Sequence, residues 1–337
     1  MTELIPGLPE EIALECLTRF HYSTHRVASR VCKNWKYLLQ SRDFYYHRKQ
    51  SSLTHKAACL IQSLPSDSSS KPVCPPRYGV TLFDPVNEIW ELVEPVPEYP
   101  DGLPLFCKVT SSEGKVLVLG GWDPVSYEPV SHVFVYDFVT RKWRKGKDIP
   151  DSRSFFAVGE LDGRVIVAGG HDLNKNALSS AWVYDVTRDE WSELPRMSQE
   201  RDECEGVVIG SKFWVVSGYR TENQGEFEAS AEFIDLEASQ WNRVEDAWKE
   251  SGVNGSPKSC LGVDKSGKLL SWAGPDSEIK VGACGVQSEE WVLVSGSAYL
   301  GGPQEFFFME GQNGKWKKLN IPDEFSGFAQ SACFAEI

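Results

Sequence analysis

The sequence predicts a small all-α unit followed by an all-β propeller of about five to six blades. Two observations carry this prediction. Apolar residues recur at three- and four-residue spacing within residues 4–50, and a pattern of apolar runs, glycines and tryptophans recurs about every 50 residues further along the chain. The first spacing indicates amphipathic helices, and a repeat of the second length with several short strands is typical of propeller blades. We therefore predict two domains, residues 1–50 and 56–337.

The N-terminal residues have the pattern of short helices. A first apolar set follows one face of a 3.6-residue period: Leu8, Ile12, Cys16 and Leu17. A second set has similar spacing: Val27, Val31, Trp35, Leu38 and Leu39. Pro9 suits a helix start, because proline has no N–H to leave unpaired there. A unit of this size buries little apolar surface alone, so we expect it to pack on the C-terminal domain or on another protein.

Three repeat units follow in register. Each has an apolar run ending in glycine (residues 116–121, 165–170 and 213–218), a run ending in aspartate (133–137, 182–185 and 232–235), and one tryptophan (Trp143, Trp191 and Trp241). A weaker unit contains residues 80–84 and Trp90. We interpret the glycine-bearing strands as the inner ones, where backbones crowd around the channel. The aspartate favours a turn, and the tryptophan is expected to fill the gap between adjacent blades.

The last part of the chain departs from this period. Residues 268–274 and 291–296 both read as inner strands, but Trp316 comes about 20 residues too early for two full units after Trp241. We expect a shortened fifth blade that lacks its outer half near residues 275–280. The final residues, 329–337, alternate like a strand and are expected to complete the first blade, which would remove an exposed sheet edge. The polar, proline-rich residues 63–76 are predicted to form a loop.

Composition and charge exclude several classes of function. Residues 1–56 carry a net charge of +4 and the remainder −17, and so acidic a body opposes nucleic-acid binding. The basic N-terminal part suits an acidic protein partner or is a solvated helical surface. The sequence has neither an apolar run long enough for a membrane span nor a secretory signal. Nine cysteines without a C-x-x-C motif oppose both a disulfide framework and a zinc finger, so we expect a cytoplasmic or nuclear location.

The motifs are recognisable as those of a known family. The order of Leu8, Pro9, Ile12, Leu17 and the segment 31–35 resembles the F-box motif, and the repeats resemble kelch motifs. Together they are similar to the plant F-box/kelch-repeat proteins. Residues 102–106, 169–172, 175–177 and 201–204 resemble the branch that includes receptors for phenylalanine ammonia-lyase and for cytokinin response regulators, which would place the chain in phenylpropanoid regulation.

The resemblance implies a subunit that recognises substrates for an SCF-type ubiquitin ligase. The F-box would bind a Skp1-like adaptor, which links to cullin and a RING protein, while the propeller would hold a target for ubiquitination and proteasomal degradation. Carried over by position, the adaptor-binding residues would be Leu8, Pro9, Ile12, Cys16, Leu17, Val31, Cys32 and Trp35. Two alternatives stay open. These apolar residues could instead form a helical core packed on the propeller, or the chain could be a kelch scaffold with no ligase link.

Propellers bind partners through loops at one end of the ring. Trp, Tyr and Arg, which favour interface hot spots, occur in these loops together with acidic residues. The candidate substrate-binding residues are Trp122, Asp123, Tyr127, Arg153, His171, Asp172, Lys175, Arg201, Asp202, Tyr219 and Arg220. The two arginines Arg153 and Arg201 could equally bond carbonyl groups inside the propeller.

We predict no catalysis by this chain. The sequence has no G-x-S-x-G motif, Walker lysine or dinucleotide-binding glycine loop. The pairs His171–Asp172 and Asp202–Glu203 are the tempting constellations, but a single histidine cannot build a metal site. We therefore expect neither a cofactor nor a metal. In the role implied by the resemblance, the chain would promote ubiquitin transfer by holding the target close to the ligase and not by supplying a nucleophile.

Overall fold

A computed structural model describes residues 3–65, 76–237, 240–248, 257, 260–273, 279–299, 301–311 and 314–337. Most of the predicted loop at 63–76 and part of 275–280 lie outside these residues. Helices come first and strands begin at Lys56. The helices are α1 (Glu10–Thr18), α2 (Tyr22–Ala28), α3 (Lys33–Leu39) and α4 (Arg42–Gln50). We call this segment the helical unit.

Local chemistry explains where the helices begin. Pro9 precedes α1, whose first turn carries Glu10 and Glu11 beside the unpaired backbone N–H groups. The Ser41 hydroxyl accepts a hydrogen bond from the N–H of Phe44 at 3.2 Å and so caps α4. The four helices enclose a small apolar core of Leu17, Ala28, Leu39 and Phe44.

The strands form six sheets around a channel. In the described residues, five sheets have four strands and one has two. From the channel outwards, the first blade contains β22 (Ala329–Glu336), β1 (Lys56–Ser63), β2 (Tyr78–Asp84) and β3 (Ile89–Leu92). The second contains β4 (Lys108–Ser112), β5 (Lys115–Leu119), β6 (Val133–Asp137) and β7 (Lys142–Lys145). The third contains β8 (Ala157–Leu161), β9 (Arg164–Ala168), β10 (Ala181–Asp185) and β11 (Glu190–Leu194).

The remaining blades follow the same order. The fourth contains β12 (Glu205–Ile209), β13 (Lys212–Val216), β14 (Ala231–Asp235) and β15 (Asn242–Val244). The fifth contains β16 (Leu261–Val263) and β17 (Leu269–Ser271). The sixth contains β18 (Val281–Gln287), β19 (Trp291–Ser297), β20 (Glu305–Glu310) and β21 (Lys317–Lys318). The predicted propeller is therefore confirmed, and the described residues of its fifth blade form two strands.

The first blade is closed by the C-terminal strand, as predicted. Strand β22 pairs antiparallel with β1, placing Cys59 opposite Cys333. Because β1 and β22 come from the two ends of the propeller segment, their pairing joins the last blade to the first. Closure pairs the edge of β1 that would otherwise be exposed.

The prediction that the glycine-bearing strands line the channel is wrong. These strands, β5, β9 and β13, are second from the channel, and β4, β8 and β12 are innermost. The glycine pair lies where its strand meets the neighbouring loop. Gly121 has φ +94°, and a Cβ there would lie 2.6 Å from the carbonyl oxygen of Leu105. The innermost strands have their own close approaches, since a Cβ on Gly206 would lie 2.5 Å from the Val158 oxygen.

The tryptophans of the three repeat units each tie their blade to the preceding one. The indole N–H of Trp143 donates to the carbonyl of Glu94 at 2.6 Å. Trp191 donates in the same way to Lys147 at 2.8 Å, and Trp241 to Pro195 at 2.6 Å. The bond satisfies the polar edge of a large apolar ring, so the predicted role between blades is confirmed.

The two ends of the propeller differ in what they contact. Antiparallel strands send alternate connections to opposite ends, so the turns β4–β5 and β6–β7 share one end. The helical unit packs at this end: Arg42 pairs with Glu113 in the first turn, and Gln40 donates to Asp137 beside the second at 3.2 Å. The other end consists of longer connections, and we call it the loop face. Its described members include residues 93–107, 120–132, 146–156, 169–180, 195–204, 217–230 and 319–328.

The buried side chain of Arg48 joins the helical unit to the propeller. Its guanidinium donates to the carbonyl oxygens of Thr18, Phe20, Leu53 and Ile337 at 2.8 to 3.3 Å. The first two acceptors belong to the helical unit and Ile337 directly follows the last strand, so one cation satisfies carbonyls of both parts. The division at residues 50 and 56 into two separate domains stays a prediction.

Candidate functional site

The helical unit leaves a set of apolar side chains in solvent. Leu8, Ile12 and Val31 are 38%, 51% and 62% exposed, and Pro9, Cys16 and Cys32 are exposed as well. These six residues, all among the predicted adaptor-binding residues, are called the helical surface below. Large apolar residues in water carry a free-energy cost that a partner protein can relieve.

The other two predicted adaptor-binding residues lie beneath that surface. Leu17 is fully buried in the helical core, and Trp35 is partly buried against it. The indole N–H of Trp35 donates to the carbonyl of Leu4 at 2.7 Å, which ties the N-terminal segment to α3. The single predicted stripe of α1 therefore divides into an exposed part and a core part. The candidate list omitted Val27, which is 68% exposed and lies four residues before Val31.

The predicted substrate-binding residues occupy the loop face at very different depths. Exposed members are Tyr127, Lys175 and Arg220. Half-buried members are Trp122, Asp123 and Asp172. Buried members are Arg153, His171, Arg201, Asp202 and Tyr219.

The two buried arginines bond the propeller itself. Arg153 donates to the carbonyls of Gly169 and Ser180, both at 3.1 Å. Arg201, at the equivalent place one blade later, donates to the carbonyls of Ser217 and Ser230 at 2.8 and 3.2 Å. Burial lowers the pKa of both guanidinium groups. With no exposed surface, these side chains support the loops from beneath, as the alternative left open by the sequence describes.

A buried polar relay connects three blades beneath the loop face. The Ser154 hydroxyl lies 2.8 Å from His171 Nε2, and His171 Nδ1 lies 2.9 Å from an Asp202 carboxylate oxygen. The indole N–H of Trp122 donates to the same hydroxyl at 2.7 Å. His171 thus pairs with Asp202 rather than with its neighbour Asp172. This relay fixes the orientation of Trp122, because the hydroxyl that receives its N–H is itself held by the imidazole.

The relay has the residue types of a nucleophile, a base and an orienting carboxylate. Ser154 is fully buried, however, and its oxygen already accepts the Trp122 N–H. A substrate carbonyl has no access to that oxygen in this arrangement. Within the described ranges, no group of three or more His, Cys, Asp or Glu residues is arranged to hold a metal ion.

Three aromatic rings meet at the channel mouth on the loop face. Phe106 lies 5.7 Å from Trp122 and 4.7 Å from Phe155 between ring centroids, and Trp122 lies 6.0 Å from Phe155. We call these three residues the aromatic platform. Phe106 is 41% exposed. The ammonium of Lys175 lies 5.9 Å from the centroid of the Trp122 ring.

The two phenylalanines of the platform have strained backbones. Phe106 and Phe155 have φ of +59° and +55°, a conformation that costs a bulky residue about 1–3 kcal/mol. Glu203 has φ +51° at the equivalent position of the next blade. Strain repeated at one position of successive blades turns each side chain towards the channel mouth. Phe106 and Phe155 were not among the site residues predicted from the sequence. They are as far apart along the chain as Gly121 and Gly170, and this shared repeat spacing is the signal that could have identified them.

The channel beneath the platform contains a cavity of about 350 Å³. Lys108 begins β4 and bonds both carboxylate oxygens of Glu205, which begins β12, at 2.9 and 2.8 Å. This ion pair links two blades that are not adjacent, just inside the loop face. At the opposite end, Tyr45 and Lys49 of α4 line the cavity.

No helix among the residues the structure describes has the length and apolar character required to span a membrane.

Comparison with known proteins agrees with this architecture. The F-box domain model matches residues 5–47, and the Kelch motif model matches residues 105–150 and 152–198. The chain is 36% identical to "F-box/kelch-repeat protein At1g15670" of Arabidopsis thaliana over 99% of this chain and 100% of that protein. It is 38% identical to "F-box/kelch-repeat protein At2g44130" of the same plant over 82% of this chain and 73% of that protein. It is also 38% identical to "F-box/kelch-repeat protein SKIP20" of the same plant over 73% of this chain and 67% of that protein.

Proposed function

Because the chain belongs to the F-box/kelch-repeat protein family, we propose that it is the substrate-recognition subunit of an SCF-type ubiquitin ligase. In this role the helical unit binds a Skp1-like adaptor, and through it cullin and a RING protein. The propeller binds a target protein for ubiquitination and proteasomal degradation. The observation that carries the proposal is the exposed apolar helical surface within the segment that matches the F-box model.

The adaptor contact divides into two kinds of residue. Leu8, Pro9, Ile12, Cys16, Val31 and Cys32 touch the adaptor, and Leu17 and Trp35 hold the helices that carry them. Each exposed aliphatic side chain that becomes buried contributes roughly 1.5–3 kcal/mol before the costs of association. The basic character of residues 1–56 adds attraction for an acidic adaptor surface.

The target binds to the loop face, on the opposite end of the propeller from the helical unit. The subunit supplies no nucleophile. It raises the effective concentration of target lysines near the ubiquitin thioester carried by another subunit. We propose action in the cytoplasm, the nucleus or both, and phenylalanine ammonia-lyase and a response regulator as the first targets to try. These candidates rest on the sequence resemblance alone.

The test is adaptor binding by the full chain and two double variants. Ile12→Ala with Val31→Ala removes two large side chains from the helical surface and is expected to weaken binding of a purified Skp1-like adaptor at least tenfold. Val86→Ala with Val125→Ala is the matched control, because both valines are more than 80% exposed and lie in propeller loops. Calorimetric titration measures the affinity. Equal binding by all three proteins would show that Ile12 and Val31 do not form the adaptor contact, and no binding by the unaltered chain would leave a kelch scaffold without a ligase link.

A further inference from the structure

The aromatic platform is apolar, accessible and held in place from beneath. Phe106 keeps 41% of its surface in solvent, and Trp122 is anchored by its 2.7 Å bond to Ser154. Two of its three residues occupy the strained left-handed region. Propeller closure does not require aromatic rings there, because Glu203 occupies the same position and backbone conformation in the next blade. The platform therefore has the features of a binding site for a partner.

The loops around the platform are strongly acidic. The seven loop-face segments named above carry six Lys or Arg and sixteen Asp or Glu, a net of −10. Two of the six basic residues, Arg153 and Arg201, are buried and paired with Asp151 and Glu232. Lys108 at the channel entrance does not offset this charge, since both oxygens of Glu205 already bind its ammonium. A cationic ligand is attracted to such a face and an anionic one is repelled.

We propose that the aromatic platform binds an arginine or lysine side chain within an extended basic segment of the target protein. The inference rests on the proposed function and adds the chemistry of the segment recognised. A guanidinium or ammonium group over an indole ring gains electrostatic energy from the ring quadrupole, and arginine also stacks through its planar group. The acidic loops attract the rest of the segment.

Lys175 shows which kind of group the platform accepts. Its ammonium lies 5.9 Å from the Trp122 ring centroid, so one cation of this chain already faces the indole. Lys175 is exposed and is carried by the loop 169–180, whose tip residue Leu173 is 60% exposed. A cation from the target would replace this ammonium at the ring. Removing the lysine is therefore expected to favour the target's cation, whereas it would weaken the binding of an acidic segment.

The experiment uses the full chain bound to its Skp1-like adaptor and a displayed library of random dodecapeptides. Selected peptides are expected to be enriched in Arg and Lys over Asp and Glu. Replacing the basic residue by citrulline or norleucine in a selected peptide should weaken binding about tenfold. Phe106→Gly should do the same, because it removes a platform ring while glycine keeps the left-handed backbone. Lys175→Ala should leave binding unchanged or strengthen it a few-fold.

The control variant is Ile89→Ala, which removes an exposed apolar side chain from the outer strand β3 of the first blade. It is expected to bind selected peptides like the unaltered protein. Selection of acidic or purely apolar peptides, the absence of any enriched peptide, or weaker binding by Lys175→Ala would each overturn the inference. Adaptor binding is measured on the same preparation, so a chain that binds no adaptor contradicts the proposed ligase role separately from the peptide result.

Discussion

The two buried arginines of the loop face predict unequal effects of the same substitution. Arg201 is fully buried, and its Nε lies 3.2 Å from an oxygen of Glu232, which is fully buried as well. Arg153 pairs instead with Asp151 at 2.9 Å, and the Asp151 side chain is 44% exposed. Replacing either arginine by methionine keeps most of the side-chain volume and removes the charge. The difference between the two variants is then the fate of the carboxylate left behind.

The expected magnitude follows from that carboxylate. Without Arg201, Glu232 stays buried with the Ser198 N–H as a remaining donor at 2.7 Å, and the carbonyls of Ser217 and Ser230 lose a shared donor. Removing one partner of a buried pair costs about 3–5 kcal/mol. Without Arg153, Asp151 can turn to water, so the loss is limited to the unpaired carbonyls and is about 1–3 kcal/mol.

Urea unfolding followed by tryptophan fluorescence measures both variants against the unaltered chain. Arg201→Met should lower the transition midpoint by about 1 M or more, and clearly more than Arg153→Met. Adding Glu232→Leu to Arg201→Met should recover part of the loss, because an apolar pair no longer buries an unpaired charge. Equal losses for the two single variants, or no recovery in the double variant, would refute the assignment of the cost to Glu232.

Three further outcomes are expected. Burial, assisted by the charge of Arg48, lowers the pKa of His25 from 6.5 to about 4. Between these two pH values the unfolded chain binds a proton that the folded chain does not, so the free energy of unfolding falls by up to about 3 kcal/mol as the pH drops from 6.5 to about 4. His25→Asn should remove that part of the pH dependence. Adaptor binding should slow iodoacetamide labelling of the exposed Cys16 and Cys32, whereas Cys204, whose pKa burial raises to about 11, should resist labelling with or without adaptor. Phe155→Gly should leave the free energy of unfolding, measured by thermal unfolding, within about 1 kcal/mol of that of the unaltered chain. The variant loses ring contacts, and glycine has greater freedom in the unfolded chain, but relief of backbone strain at this position offsets both losses.

Sequence reasoning predicted the architecture but misplaced one layer of each blade. The glycines and tryptophans recur in register because every blade needs the same close approach and the same contact to its neighbour. That register cannot tell which strand borders the channel. Innermost strands such as β4 carry short polar residues, including Thr110 and Ser111, and have no strong apolar pattern. The long apolar glycine-bearing strand was therefore mistaken for the inner one.

The candidate sites were predicted by residue type and not by depth. The spacing placed Leu8 and Leu17 on one apolar face. Leu8 is exposed, whereas Leu17 is fully buried because the second half of α1 packs against the three other helices. On the loop face, His171 was noted for its position, but its partners Ser154 and Asp202 come from the adjoining interblade loops. A bulky aromatic residue is not expected at positive φ, so local propensity gives no reason to place Phe106 or Phe155 there.

The position of Arg48 bears directly on the proposed ligase role. Its four carbonyl acceptors belong to the end of α1, to the connection after α4 and to the last residue of the chain, so the cation links the helical unit to the closing strand of the ring. Breaking this contact would leave several buried carbonyls without a donor, which disfavours hinge motion between the two parts. A subunit that works by proximity needs such rigidity, because the effective concentration of a target lysine depends on a fixed geometry between adaptor and target. The buried arginine thus relates the helical surface to the loop face at the far end of the propeller.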